Sequence, residues 1–168
     1  MIINLIVATG LANEIGIGSN LLGRFPADMR HFKKITEHQV VIMGRRTFES
    51  LRVKPLPLRN NIVLTKNESF AFEDVEVAHT IEKAVHMAFC TALKGLAVKE
   101  IFVIGGAEIY QEFLERNLVK RIYWTKIHKN FPDADKFIKL PENWREIDKH
   151  SIVENDTLMD FIILEPEE

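Results

Sequence analysis

The runs Ile2 to Ala8, Val40 to Met43, Asn61 to Thr65 and Ile101 to Ile104 are short, apolar and rich in β-branched residues. Runs of this length without polar alternation read as strands covered on both faces, the condition of strands inside a parallel sheet. The segments between them read as covering helices. Pro26 opens one, Ala27 to about Ile35, because proline suits a first helical turn and Phe25, Met29, Phe32 and Ile35 recur at helical spacing. Gly44-Arg45-Arg46-Thr47 begins a short one that stops before Pro55-Leu56-Pro57. Val75 to Ala78 reads as a weaker strand, and Thr80 to about Leu93 as a helix with Ile81, Ala84, Val85, Ala88 and Phe89 on one face and Gly95 closing it. Gly105-Gly106 turns the chain into a helix from Ala107 to about Leu114. Strands alone follow: Arg121 to Ile127, Arg145 to Ile152 and Leu158 to Leu164. Strands alternating with helices, then consecutive strands, predict an α/β sheet whose last strands pair antiparallel as a hairpin-like edge.

Nothing in residues 1–168 reads as a repeat, a low-complexity tract or a linker, so one domain is expected. A chain of this length buries roughly 70% of its unfolded surface, enough for a core and a small-molecule pocket. The 22 basic and 24 acidic residues sum to −2, which argues against a nucleic-acid binder. Cys90 is the one cysteine, so an internal disulfide and a thiolate metal cluster are excluded; within its apolar segment it reads as a small core residue. His31 and His38 lie seven apart with no third partner, so no metal is expected and the histidines read as surface residues. The apolar amino terminus has no Lys or Arg before Arg24 and is interrupted by Asn4, unlike a signal peptide, and no run of about 18 apolar residues suggests a membrane span. The cytoplasm is the expected location, and a monomer the expected state.

Four constellations carry chemistry. Residues Gly10 to Arg24, with Gly10, Gly16, Gly18 and Gly23, read as a long loop without a regular element, suited to a lid. Asp28 sits in a first helical turn, where a carboxylate is either a solvated dipole partner or, with Met29, Phe32 and Ile35 beside it, a buried acid facing a ligand; spacing leaves both open. Gly44-Arg45-Arg46-Thr47 combines helix-start N–H groups, two guanidiniums and a hydroxyl, a donor set for phosphate, although a solvated basic turn has the same composition. Ile104-Gly105-Gly106-Ala107-Glu108 lets backbone approach a ligand but is not G-x-G-x-x-G, and Gly16-Ile17-Gly18 matches that pattern less well. Arg59 is either a bidentate carboxylate clamp or a surface arginine.

Taken in chain order, these pieces resemble the dihydrofolate reductase family. The resemblance rests on Ile15-Gly16-Ile17-Gly18, Phe25-Pro26-Ala27-Asp28 through Phe32-Lys33, Val41 through Ser50, Pro55-Leu56-Pro57 with Arg59, Asn61 through Thr65, and Val103-Ile104-Gly105-Gly106-Ala107-Glu108-Ile109-Tyr110. It covers nearly the whole chain. It implies an eight-stranded, mostly parallel sheet with an antiparallel C-terminal edge and four flanking helices, and NADPH-dependent reduction of 7,8-dihydrofolate to tetrahydrofolate. Hydride would pass from nicotinamide C4 to pterin C6 with protonation at N5. Asp28 matches the active-site acid that holds the pterin 2-amino group and N3, and Thr125 the hydroxyl that bonds this acid. Ile6, Ala8, Met29, Phe32, Leu51 and Leu56 match pocket-wall positions, and Arg59 the clamp on the glutamate tail. Arg45, Arg46, Thr47 and Lys66 match the handlers of pyrophosphate and 2′-phosphate. Ala8, Ile15, Gly44, Thr65, Ile104, Gly105, Gly106, Ala107 and Tyr110 fall at other cofactor-contacting positions.

The chain departs from the family pattern in places. Leu21-Leu22-Gly23-Arg24 stands where the family has Leu-Pro-Trp, and the missing indole implies space beside the pterin and altered affinity for 2,4-diaminopyrimidine antifolates. Leu58 replaces a glycine before Arg59, one extra residue lies between Ser50 and Pro55, and Ala107 replaces a frequent glycine. Two other readings stay open: the related pyrimidine reductase of riboflavin synthesis, and a non-catalytic relative that binds folate or NADPH.

Overall fold

The computed structural model describes residues 2–94 and 100–167. Its strands are β1 (Ile2–Thr9), β2 (Glu14–Gly16), β3 (Val40–Gly44), β4 (Asn60–Leu64), β5 (Val75–Ala78), β6 (Glu100–Val103), β7 (Arg121–Ile127), β8 (Lys136–Phe137), β9 (Trp144–Glu154) and β10 (Thr157–Pro166). The helices are α1 (Pro26–Thr36), α2 (Arg45–Ser50), α3 (Ile81–Lys94) and α4 (Ala107–Glu115). Eight strands form one sheet in the order β5-β4-β3-β6-β1-β7-β10-β9. All neighbours from β5 to β7 pair parallel, while β10 pairs antiparallel with both β7 and β9. The expected sheet, with its antiparallel edge and four helices, is the observed one.

The unbroken apolar runs follow from this placement. Successive side chains of a strand point to opposite faces, and here both faces are covered. Leu5, Ile42, Ile62, Ile101 and Val103 pack on one side with Phe113 and α3 residues Ile81, Ala84 and Ala88. Their sequence neighbours Ile6, Val41, Val63 and Phe102 pack on the other side with Met43 and Phe48. Phe48, Phe102 and Phe113 are wholly enclosed, each contributing about 1.5–3 kcal/mol by burial.

Helix α1 lies over the second face. Pro26 occupies its first turn as expected, but Phe25 at the N-cap provides no side-chain cap. The carboxylate of Glu154, at the end of β9, does that work: it accepts the Ala27 N–H at 2.8 Å and pairs with Arg30 at 2.6 Å. The turn that delivers it, Asn155-Asp156, has positive φ at both residues, the geometry of a tight two-residue hairpin.

Several expectations need correction. The Gly10 to Arg24 segment is not free of regular structure: Glu14–Gly16 forms β2 and pairs antiparallel with β8. His31 is not a surface residue. Its ring is half-buried against Phe161, 4.3 Å between centroids, and burial together with nearby His150 and Lys34 lowers its pKa to about 4. Cys90 lies outside the fully buried α3 set of Ile81, Ala84, Ala88 and Ala92, with its Sγ 3.6 Å from His86 Nε2. The expected stop at Gly95 lies outside the described residues.

Candidate active site

The carboxyl ends of β1, β3, β4, β6 and β7 share one rim, where open α/β sheets bind ligands. Register sets the neighbours there: Ala8 pairs with Thr125, and Gly44 with Leu64. Asp28, on the first turn of α1, reaches the Thr125 hydroxyl on β7. Burial pushes its carboxyl above the ordinary aspartate value, and the Thr125 hydrogen bond opposes part of that rise. Asp28 is half-buried at this rim, desolvated without being closed off from solvent. Tyr110 stands behind it: its hydroxyl donates to the Ile6 carbonyl at 2.7 Å, and burial plus the charge of Asp28 raise its pKa.

Most of the sequence-predicted wall residues pack in one apolar cluster. Ile6 is buried in the sheet, and Phe32, Leu51 and Leu56 pack half-buried against the same cluster. Ala8 packs with Ala27 and Phe161. Met29 differs from its neighbours in being 48% exposed, so the apolar face of α1 opens to solvent at this point. Arg59 is not a free surface arginine. Its Nε donates to Thr36 Oγ1 at 3.0 Å, its two terminal nitrogens to Pro57 O at 2.7 Å and Lys33 O at 3.4 Å, and it lies over the Phe32 ring. Burial lowers its pKa while Glu37 opposes the shift.

On the opposite side of the rim two turns meet. The Gly44 N–H donates to Gly105 O at 2.8 Å, joining the start of α2 to the turn before α4. A Cβ at Gly106 would lie 3.4 Å from the Thr47 hydroxyl, and one at Gly44 3.2 Å from Ile109, so absent side chains leave backbone facing this gap. Gly105 has φ +121° and is joined to Gly106 by a cis peptide. Ile104 precedes this turn and Ala107 begins α4. Arg45 is spoken for in part by an ion pair with Glu49 at 2.9 Å, whereas Arg46 and Lys66 are exposed. Thr65, beside Lys66, is buried and accepts the Asn67 N–H at 3.1 Å. Ile15 packs against the larger core cluster.

The loop carrying β2 is tied to the segment between β7 and β8. Gly18 N–H donates to Asp135 Oδ1 at 2.8 Å, and Asp135 N–H returns a bond to Gly16 O at 3.2 Å. Glu14, only 4% exposed, reaches across in the opposite sense to the Phe131 N–H. Glu14 and Glu154 were both missed from sequence. The alternation in Glu14-Ile15-Gly16 offered a faint signal for the first, and none was available for the second. Among the described residues, no group of three or more His, Cys, Asp or Glu can hold a metal ion, and no helix is long and apolar enough to cross a membrane.

An open, mostly parallel α/β sheet whose rim carries a half-buried, desolvated acid, two glycine-lined turns and exposed cations has the layout of a small-molecule site. The dihydrofolate reductase family model matches residues 2–165. Similar proteins include the type 3 dihydrofolate reductase of Salmonella typhimurium, 37% identical over 155 residues (89% of this chain, 86% of the relative). The Bacillus subtilis dihydrofolate reductase is 35% identical over 144 residues, 85% of this chain and 80% of the relative. Among solved structures, a dihydrofolate reductase from Enterococcus faecalis complexed with NADP(H) and RAB-propyl superimposes with a TM-score of 0.85 at 26% identity, covering 99% of this chain and 97% of that one. The chain belongs to the dihydrofolate reductase family.

Proposed function

We propose that this chain reduces 7,8-dihydrofolate to 5,6,7,8-tetrahydrofolate with NADPH, as a single-domain cytoplasmic monomer. The observation that carries the reading is Asp28: a half-buried, desolvated carboxyl on the first turn of α1, bonded by Thr125 of the central strand β7. The residues present fit the cofactor. The gap that a Cβ at Gly106 would fill, the Thr47 hydroxyl facing it, and the exposed Arg46 and Lys66 form a backbone-and-cation donor set. Arg45, Gly44, Gly105, Ala107 and Thr65 complete this side, with Ala8, Ile15, Ile104 and Tyr110 toward the nicotinamide. When bound, NADPH supplies the hydride that goes from nicotinamide C4 to pterin C6.

The protein's own part is to bind, orient and shield. Asp28 accepts hydrogen bonds from the pterin 2-amino group and N3, and Thr125 fixes the rotamer in which it does so. The carboxylate acts on N5 through its field, favouring a proton that arrives from solvent. Arg59, held from behind by three bonds, presents its remaining N–H groups to the α-carboxylate of the glutamate tail. Ile6, Phe32, Leu51 and Leu56 exclude water from the ring, and Met29 closes the open edge. The Gly10 to Arg24 loop covers the reacting atoms. Antifolates that present a 2,4-diaminopyrimidine pair with the same acid, at an affinity altered by the space that Gly23 leaves.

The test is direct. Adding dihydrofolate to the protein with NADPH should remove the reduced-nicotinamide absorbance. Binding of both ligands with no turnover would overturn the reading in favour of a non-catalytic relative.

A further inference from the structure

The lid segment contains a buried acid that the reaction described above does not use. Glu14 is 4% exposed, and its carboxylate accepts two backbone N–H groups: Ala12 at 2.7 Å, within the lid, and Phe131 at 3.2 Å, across the gap in the β7–β8 segment. The fit around it is close. A Cβ at Gly10 would lie 2.5 Å from Glu14 Oε2 and 2.6 Å from the Phe131 ring, so Gly10, Glu14 and Phe131 interlock and any other residue at position 10 would force them apart. Two charge-assisted bonds to backbone donors are how a buried carboxylate is accommodated without a counter-ion.

The contacts continue to the reacting end. Phe131 meets Phe25 edge-on, 6.2 Å between centroids, and Phe25 is the N-cap residue of the helix that carries Asp28. Phe131 and Phe25 also pack on the cluster of Ala27, Ile127, Met159 and Phe161 that underlies this helix. Glu14 thus touches the lid on one side and, through two aromatic rings, the mount of Asp28 on the other.

We propose that Glu14 is a positioning residue that sets the closed register of the lid over the cofactor and links it to the α1 amino terminus. This rests on the reductase reading for its effect on ligand, although the tether itself does not. Glu14→Gln preserves shape but can satisfy only one of the two donors; Glu14→Ala loses both. In the free protein, amide hydrogen exchange should accelerate about tenfold or more at one of Ala12 and Phe131 in Glu14→Gln, and at both in Glu14→Ala, while Leu5 and Ile42 keep their protection. NADPH release, followed by stopped flow, should quicken by a similar factor, with hydride transfer slowed more than the KM for dihydrofolate is raised. Unchanged exchange at Ala12 and Phe131 in Glu14→Ala would overturn the tether. Equal loss of protection at Leu5 and Ile42, or lost tether protection with unchanged NADPH release, would overturn the positioning role. The exchange experiment needs no substrate, so its failure is distinct from failure of the reductase assay.

Discussion

On the α1 side of the cleft, the two charged side chains of the candidate site are held by the fold, whereas on the α2 side the donors are backbone groups and exposed cations. Asp28 is half-buried and bonded by Thr125, and Arg59 is fixed by Thr36, Pro57 and Lys33. Across the rim, Arg46 and Lys66 extend into solvent, Arg45 divides its charge with Glu49, and shape comes from the Gly44 to Gly105 contact. On the proposed reading, one half concentrates recognition in two prearranged side chains. The other spreads it over many weak donors, so single substitutions should cost far more in the first half than in the second.

The largest effect belongs to Asp28→Asn. Removing the charge that favours protonation at N5 should lower dihydrofolate turnover by roughly 10²–10⁴-fold, the range for a positioned acid or base, with NADPH affinity nearly unchanged. Steady-state kinetics with a separate NADPH titration measures both. Full turnover at neutral pH would remove the distinction between the halves. The same substitution should raise stability. Because burial lifts the folded-state pKa, the unfolded chain releases this proton first as pH increases, and stability falls as pH rises through the raised range. Asp28→Asn escapes that loss at neutral pH, and its advantage should vanish below the ordinary aspartate range, as denaturant titrations at several pH values would show.

Arg59→Ala comes next. A hydrogen bond to a charged group contributes about 1.5–3 kcal/mol, which corresponds to roughly a tenfold to hundredfold rise in the KM for dihydrofolate. The kcat should change little, and a substrate analogue without the glutamate tail should not distinguish the two proteins. Lys66→Ala sharpens the comparison from the other side. An exposed cation acting as one of several is worth at most about fivefold in NADPH KM. NADH, which lacks the 2′-phosphate, should be used equally by both proteins. A hundredfold loss on Lys66→Ala would show that the cofactor half is also concentrated in one residue.

What sequence revealed follows the same division. The core strands were legible because coverage on both faces forces continuous apolar runs, and Leu5 and Ile6 divide between opposite faces as that requires. Asp28 was legible as a candidate, but whether it is solvated depends on Thr125, which lies 97 residues further along the chain. Strand β2 was hidden because three residues among glycines carry little periodicity, and their partner β8 lies beyond residue 135. Glu14 and Glu154 were hidden for a related reason: the partners of Glu14 are backbone N–H groups, which have no residue signature, and those of Glu154 are the Ala27 N–H and Arg30, the latter 124 residues away. The pairing of Arg45 with Glu49 sits at helical i,i+4 spacing and was within reach of sequence.

The smallest predicted effect concerns the loop that presents Arg59. Leu58 stands where the family pattern has glycine, and the structure gives it φ 59°, the left-handed region. Its carbonyl accepts the His38 N–H at 2.7 Å, so the backbone is held in this conformation, while its side chain is 60% exposed and contributes little packing. The Cβ of an L residue there costs about 1–2 kcal/mol. Glycine returns about 0.5–1 kcal/mol of that through the greater freedom of the unfolded chain. Leu58→Gly should therefore stabilise by about 0.5–1 kcal/mol, a Tm rise of roughly 1–4 °C for a chain of this size. Leu58→Ala separates the causes, since it removes the exposed side chain but keeps the Cβ that conflicts with positive φ. No gain with alanine and a gain with glycine would locate the cost in the backbone. Equal gains would place it in the exposed leucine, and the neighbouring Arg59 would then sit on an unstrained turn.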